Sequence, residues 1–243
     1  MVFTKIFKLI RNHFFNKIFY SIFPSFCSIC GVFLEDFQQE ICTACRHQLD
    51  VAKPRDFLAS NTSSLFFTNK QVVGIHVLFR FEKFGVIQKL IHNFKYYENK
   101  KLSLLLGKWH AQQLLQCKIL DDVDFLVIVP MHPRKKKQRG YNQVETYAEV
   151  LSVETGIFYQ KNFFKKIKTS KTQSRQSKKD RFENVKNTLQ LNYSEPLQGK
   201  HIVILDDVIT TGATLLSCLD LLKTIPDIKV TLVSIAMVYD DFL

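Results

Sequence analysis

From Val72 the chain alternates: Val73, Ile75, Val77, Phe79 and Phe81 point one way, which predicts a β-strand. The period then lengthens. "FGVIQKLIHNFKYYENKK" and "LSLLLGKWHAQQLLQC" repeat their apolar residues at helical spacing and predict two amphipathic helices. After Leu120 the grammar becomes strand and helix in alternation. "DFLVIVP" is a short, continuously apolar strand, and "NQVETYAEVLSVETG" is a helix stopped at Gly156. "HIVIL" is a second all-apolar strand, "TLLSCLDLLKT" a helix, and "KVTLVSIAMV" a final strand. The segment ending "NTLQL" predicts irregular or hairpin structure. Uninterrupted apolar strands separated by helices imply an α/β fold whose parallel sheet is covered on both faces.

The N-terminal third is built differently. Phe3, Phe7, Ile10, Phe14, Ile18 and Ile22 recur at helical spacing with lysines between them, predicting an amphipathic helix over residues 1–23. Such a helix can pack on its own protein or lie on lipid or a partner; packing is favoured because it runs directly into a compact cysteine-bearing stretch. That stretch, 24–50, holds Cys27, Cys30, Cys42 and Cys45, two CxxC pairs separated by eleven residues. Residues 51–71 are polar with scattered phenylalanines and are expected to be a linker, leaving 72–243 as the α/β domain. No internal repeat or low-complexity segment is evident.

Composition narrows this picture. An apolar share of 46% excludes a disordered chain. No charge-free run of about twenty residues occurs, because Lys5, Lys8, Arg11 and Lys17 interrupt the apolar N-terminus, so nothing is expected to span a membrane. With no secretory signal, the expectation is a cytoplasmic protein whose basic first helix could touch the inner face of the membrane. The net charge of +12 favours polyanionic partners, though charge alone also fits an ordinary basic protein. The paired CxxC turns each present two thiolates, so four sulfurs suit a closed tetrahedral Zn²⁺ site with a folding role; an iron–sulfur cluster and a redox or disulfide pair are the alternatives. Cys117 and Cys218 stand alone in helical patterns and are expected to be small buried hydrophobes.

The stretch "HIVILDDVITTGATLLSCLDLL" carries the densest chemistry. Ligands of open parallel sheets bind outside the carboxyl ends of the strands, where Asp206 and Asp207 are expected. Adjacent carboxylates repel, so they call for compensation by hydroxyl donors, as from a ribose, or by Mg²⁺. Thr210, Thr211, Gly212, Ala213 and Thr214 follow at a helix start, whose unpaired N–H groups and dipole favour an anion. Three hydroxyls donate to phosphate oxygens and Gly212 lets the backbone approach closely. Acids for the sugar followed by a small-residue nest for its phosphate make a ribose-5-phosphate clamp. A P-loop would need GxxxxGK[ST], which is absent, as is GxGxxG. A turn that merely begins with acids is the plain alternative.

"VILDDVITTGAT" resembles the phosphoribosyl-pyrophosphate (PRPP) motif of type I phosphoribosyltransferases. Together with "FPSFCSICGVFL…ICTACRHQL", "KLIHNFKYYENKKL", "LVIVPMHPRKKKQRGYNQVETYAEVL" and "TQSRQSKKDRFENV", it resembles the competence protein F family, ComF with its relative GntX, over nearly the whole chain. The resemblance implies a type I phosphoribosyltransferase-like parallel sheet flanked by helices, with a small N-terminal four-cysteine zinc module. It implies that Pro130, Met131, His132, Pro133 and Arg134 form a pyrophosphate loop, followed by Arg139-Gly140-Tyr141-Asn142-Gln143. Five cations within residues 134–139 can neutralise pyrophosphate or a nucleic-acid backbone, unless they are simply a solvated run. His132 as a general base is the lesser reading of that residue. Residues 165–184 match the family's mobile loop, with Gln173, Arg181 and Asn184 in place, and would close over PRPP. Lys166 and Ser170 depart from the common Arg and Thr, and Lys cannot reproduce a bidentate grip on phosphate.

Two functions follow from the resemblance. One is a DNA-uptake factor of natural transformation that binds incoming single-stranded DNA, beside the uptake machinery, through the basic loops 134–139 and 161–181. Phe163, Phe164, Tyr141 or Phe182 would be its stacking surfaces. The other is an active transferase that passes ribose 5-phosphate from Mg²⁺-PRPP to an unidentified acceptor, with Asp206 and Asp207 stabilising positive charge on the ribose.

Overall fold

The structure is a computed structural model that describes residues 24–36, 39–53, 61–96, 100–131, 137, 139–166 and 189–239. The expected helix over 1–23 and the core of the mobile loop lie outside the described residues. The chain divides into two compact units, Met1–Leu49 and Asp50–Leu243.

The first unit is small. Strands β1 (Ser25–Phe26) and β2 (Phe33–Leu34) pair antiparallel, and α1 (Thr43–His47) follows. Helix α1 starts at Cys42, whose Sγ accepts the Cys45 amide at 3.4 Å, so a sulfur serves as the helix cap.

The second unit begins with α2 (Asn61–Phe67), then β3 (Val72–Phe81), α3 (Val86–Tyr96), α4 (Lys100–Gln116) and β4 (Phe125–Ile128). It continues through α5 (Gln143–Thr155), β5 (Phe158–Tyr159), β6 (Phe164–Lys166), β7 (Leu189–Leu191), β8 (His201–Ile209), α6 (Ala213–Leu222) and β9 (Lys229–Val238). Five strands form one all-parallel sheet in the order β3-β9-β8-β4-β5, while β6 and β7 make a separate antiparallel pair.

The central strands are apolar because helices cover both their faces: Ile202, Val203, Ile204 and Leu205 are all fully buried, as are Leu232 and Ile235 of β9. After β4 the chain steps outward to β5; after β8 it steps the other way, to β9. The strand order therefore reverses between β4 and β8, and the carboxyl ends there open a crevice.

Three expectations change. Residues 61–67, assigned to a linker, form helix α2, and Phe66 is completely buried in the main core. In β3 the alternation understates burial: Ile75 through Phe79 are all buried and Val73 is exposed, because helices pack on both faces of this edge strand. Cys218 is buried as expected, but Cys117 falls just beyond α4 and is exposed.

Two buried histidines and a tyrosine link three elements of the core. His76 Nδ1 lies 2.9 Å from His110 Nε2, and His110 Nδ1 meets the Tyr147 hydroxyl, joining β3, α4 and α5. Burial holds both histidines below their ordinary pKa, His76 at about 4, so both are neutral near pH 7.

Candidate functional site

A cleft of about 430 Å³ opens at the reversal point. Asp206, Asp207, Val208, Thr210 and Thr214 line it from β8 and α6, Val129, Pro130 and Met131 from the end of β4, and Arg139 and Asn142 from the approach to α5. Contrary to expectation, β8 does not stop at the acids. It continues to Ile209, hydrogen-bonded to β9, so Asp206 and Asp207 stand in extended backbone with side chains on opposite faces.

Each acid is handled separately. Asp207 Oδ2 receives an ion pair from Lys95 Nζ at 3.0 Å, while Asp206 Oδ1 accepts the Asp207 amide at 2.8 Å. Burial, then the neighbouring Asp207 charge, lifts the Asp206 carboxyl to about 7; the Asp207 amide, Lys95 and Lys166 oppose that rise. Asp206 also helps burial push the Cys218 thiol up.

The sign of this shift makes a prediction. Because the folded pKa is raised, the folded state keeps a proton that the unfolded state releases, so stability is gained as pH falls from about 7 toward 4 and lost as it rises. A shift of this size is worth about 4 kcal/mol at most. Asp206→Asn removes the charge and keeps the shape. The variant is expected to be more stable than wild type at pH 8 by about 2–4 kcal/mol, with the gap closing by pH 5. Urea unfolding at the two pH values measures it; equal gaps at both would refute the strain.

Above the acids, α6 begins at Gly212, which has φ +69° and no side-chain cap on the helix's first amides. A Cβ at Gly212 would stand 2.5 Å from Phe66 Cζ, so only glycine fits. Thr210 and Thr211 are exposed, Gly212 is buried, and Ala213 and Thr214 are half-buried. His132, Arg134, Gln173 and Arg181 lie outside the described residues. Arg139 is brought to the cleft, its guanidinium 4.9 Å from the centre of the Tyr96 ring.

Sequence reasoning passed over the residues that α3 contributes: Gln88, Ile91, His92, Lys95 and Tyr96 also line the cleft. The signal was present in "KLIHNFKYYENKKL", but a lysine in an amphipathic helix reads as solvated surface. Asn142 and Gln143 turn out to be structural. Asn142 caps α5 by accepting the Val144 amide, and buried Gln143 donates from Nε2 to the Lys95 carbonyl.

The four N-terminal cysteines converge as their spacing implied. All four sulfurs lie within 4.8 Å of one another, and Cys30 Sγ is 3.7 Å from Cys42 Sγ. Four sulfurs about 2.3 Å from one ion would sit roughly 3.8 Å apart, so the cluster could hold a tetrahedral metal. Burial would raise the Cys27 thiol, but amides of Cys42, Cys30 and Ile29 directed at its sulfur outweigh that and bring it to about 6. Burial and the neighbouring cysteines instead push Cys45 up. This is the only cluster of three or more metal-ligating His, Cys, Asp or Glu side chains among the described residues. Two carboxylates do not complete an octahedral Mg²⁺ shell, so an ion at Asp206 and Asp207 would need further oxygens from water or a bound ligand.

The phosphoribosyl transferase domain family matches residues 137–241. The chain is 30% identical over 136 residues to the DNA utilization protein YhgH of Salmonella typhimurium, covering 55% of this chain and 59% of that protein. It is 30% identical over 142 residues to the protein of the same name from Escherichia coli K12. It is 36% identical over 91 residues to Competence protein F of Haemophilus influenzae, or 37% of this chain and 40% of that one. These matches support assignment to the competence protein F family. The chain aligns with 59% or 60% of the length of the YhgH relatives. The parallel sheet that the resemblance implies is the one observed, and the stretch that resembles the PRPP motif lies in β8 and at the start of α6. No helix among the described residues is long and apolar enough to cross a membrane.

The stacking surfaces expected for DNA need correction. Phe163 and Phe164 are buried, Phe163 packing on Phe125 and Tyr193 in the core, so neither ring is available to a base. Phe182 lies outside the described residues.

Proposed function

We propose that this protein binds PRPP or ribose 5-phosphate in the β4–β8 cleft and acts on single-stranded DNA in the cytoplasm during natural transformation, with Zn²⁺ held by Cys27, Cys30, Cys42 and Cys45. The observation that carries the sugar-phosphate reading is the meeting, in one crevice, of an acid pair with Thr210 and Thr214, which flank the uncapped start of α6. The ribose diol donates to the carboxylates, and the phosphate takes the free amides of α6 and the hydroxyls of Thr210, Thr211 and Thr214. Mg²⁺ would be carried in with the pyrophosphate of PRPP, where it offsets phosphate charge.

Thermal unfolding tests this. PRPP or ribose 5-phosphate at about a hundredfold excess over Kd stabilises by about 2.7 kcal/mol, a rise in Tm of roughly 5–10 °C for a domain of this size. Unphosphorylated ribose is expected to give none, and Asp206→Asn, though more stable alone, a much smaller rise. An unchanged Tm for wild type with both phosphosugars would end the reading.

The DNA role is supported by the names of the relatives and by the net charge of +12. In the cysteine unit, Phe26 and Phe33 are each about half exposed and meet edge to face with centroids 6.3 Å apart, a surface for unstacked bases. Single-stranded DNA binding is expected to weaken steeply between 50 and 200 mM salt, as about 10³-fold for six phosphate contacts. Phe26→Ala with Phe33→Ala is expected to weaken it by a further tenfold or so at fixed salt. Fluorescence anisotropy with a labelled oligonucleotide measures both, and a salt-independent affinity would contradict the proposal.

A further inference from the structure

We propose that Lys95 is the built-in counter-ion of the sugar-phosphate cleft, holding its acid floor near neutrality so that a pentose phosphate binds there without a divalent cation. The inference rests on the phosphosugar reading above and adds to it a residue outside the matched domain, which begins at residue 137.

Helix α3 is fixed on the sheet by its apolar stripe, Ile87, Leu90, Ile91 and Phe94, all buried. Its last turn is tied from a second direction by the Gln143 amide on the Lys95 carbonyl. The backbone of Lys95 is therefore held where its side chain reaches the floor, and Nζ lies 3.0 Å from Asp207 Oδ2. The two side chains are only 22% and 16% exposed, so water screens this pair far less than a surface ion pair.

Asp206 lies on the other face of the strand, where burial and Asp207 disfavour its charge. Lys166, at the end of β6, adds further positive potential there. One acid is thus paired and the charge of the other is disfavoured, where two bare carboxylates would carry a charge of two. A doubly negative acid floor would repel a phosphorylated sugar unless a divalent cation sat between them. With Lys95 in place that repulsion is removed in advance. A hydroxyl of the sugar can still donate to Asp207, since an ionised carboxylate accepts several hydrogen bonds.

The probe is ribose 5-phosphate, which lacks the pyrophosphate that would itself bring Mg²⁺ into the cleft. Its Kd is measured by calorimetry on the full chain, in Mg²⁺ and in EDTA, for wild type, Lys95→Met and Lys95→Arg; circular dichroism verifies that each is folded. Wild type is expected to bind within about threefold equally in both buffers, and Lys95→Met to lose about tenfold or more in EDTA with recovery in Mg²⁺. Lys95→Arg, which keeps the charge, is expected to behave as wild type. Wild-type binding that requires Mg²⁺ would overturn the role of Lys95 and leave the phosphosugar site standing. So would Lys95→Met binding in EDTA as tightly as wild type. Wild type that binds in neither buffer would remove the phosphosugar reading itself, and this inference with it.

Discussion

Chelation of the Zn²⁺ proposed for the cysteine unit is expected to unfold residues 24–49 and leave the parallel sheet intact. The protein as isolated should carry one Zn²⁺ per chain by mass spectrometry. The reason is size: among the described residues the unit has two strands of two residues and one helix of five, and the buried apolar side chains described there are few beside Cys27 and Cys45. So small a core cannot offset the entropy of ordering its loops, and a metal bound only by the folded form supplies what is missing. Structural zinc sites of this type contribute about 10–16 kcal/mol at neutral pH, the largest single effect expected in this molecule. The sulfurs are already directed at a common centre, and three amides point at Cys27 to favour its thiolate. Cys27→Ser should therefore act like chelation. Hydrogen exchange reads the outcome by segment: protection in 24–49 collapses, while that of β8 and β9 persists. Metal-free protein with undiminished protection across 24–49 would show that the cysteines do not depend on an ion.

How far the sequence carried differs from element to element, for physical reasons. Strands β4, β8 and β9 were legible because both their faces are covered, which leaves uninterrupted apolar runs with little ambiguity. Helix α5 was legible at both ends, since Asn142 caps its start and Gly156, at φ +75°, ends it. Helix α2 was not legible. "NTSSLFF" has too few apolar positions to display a period, and Phe66 is buried by contacts made across the fold. The same limit applies to Phe163 and Phe164. Set among lysines they read as a surface, whereas the pairing of β6 with β7 turns them into the core.

The cleft was legible where its chemistry is continuous in sequence, from Asp206 to Thr214. It was illegible where a side chain arrives from elsewhere. Lys95 is 112 positions from Asp207, and only the packing of α3 brings them together. Under the proposed function the acid pair is a strained feature kept for binding: burial and Asp207 raise the Asp206 pKa, so its charge opposes folding, and it is the group that the ribose would engage.

Gly212→Ala is expected to be strongly damaging to the α/β unit, because two independent penalties fall on one methyl group. The first is conformational: at φ +69° a residue with a Cβ costs about 1–2 kcal/mol. The second is steric. The new Cβ would lie 2.5 Å from Phe66 Cζ, with Cε1 and Cε2 at 3.2 and 3.3 Å. Phe66 is fully buried and cannot swing into solvent, so the core must shift at a further cost of about 1–3 kcal/mol. Together these lower Tm by on the order of 10 °C. The damage is also functional, since displacing the first turn of α6 moves the amides that would hold the phosphate. A double substitution separates the two penalties. Phe66→Leu in the Gly212→Ala background removes the colliding ring but not the unfavourable φ, so it should restore part of the lost stability even though Phe66→Leu alone destabilises. Such a sign change between backgrounds is the signature of two residues that are directly coupled. Simple additivity of the two substitutions, or a Gly212→Ala protein within about 1 kcal/mol of wild type, would mean that the turn has room for a side chain.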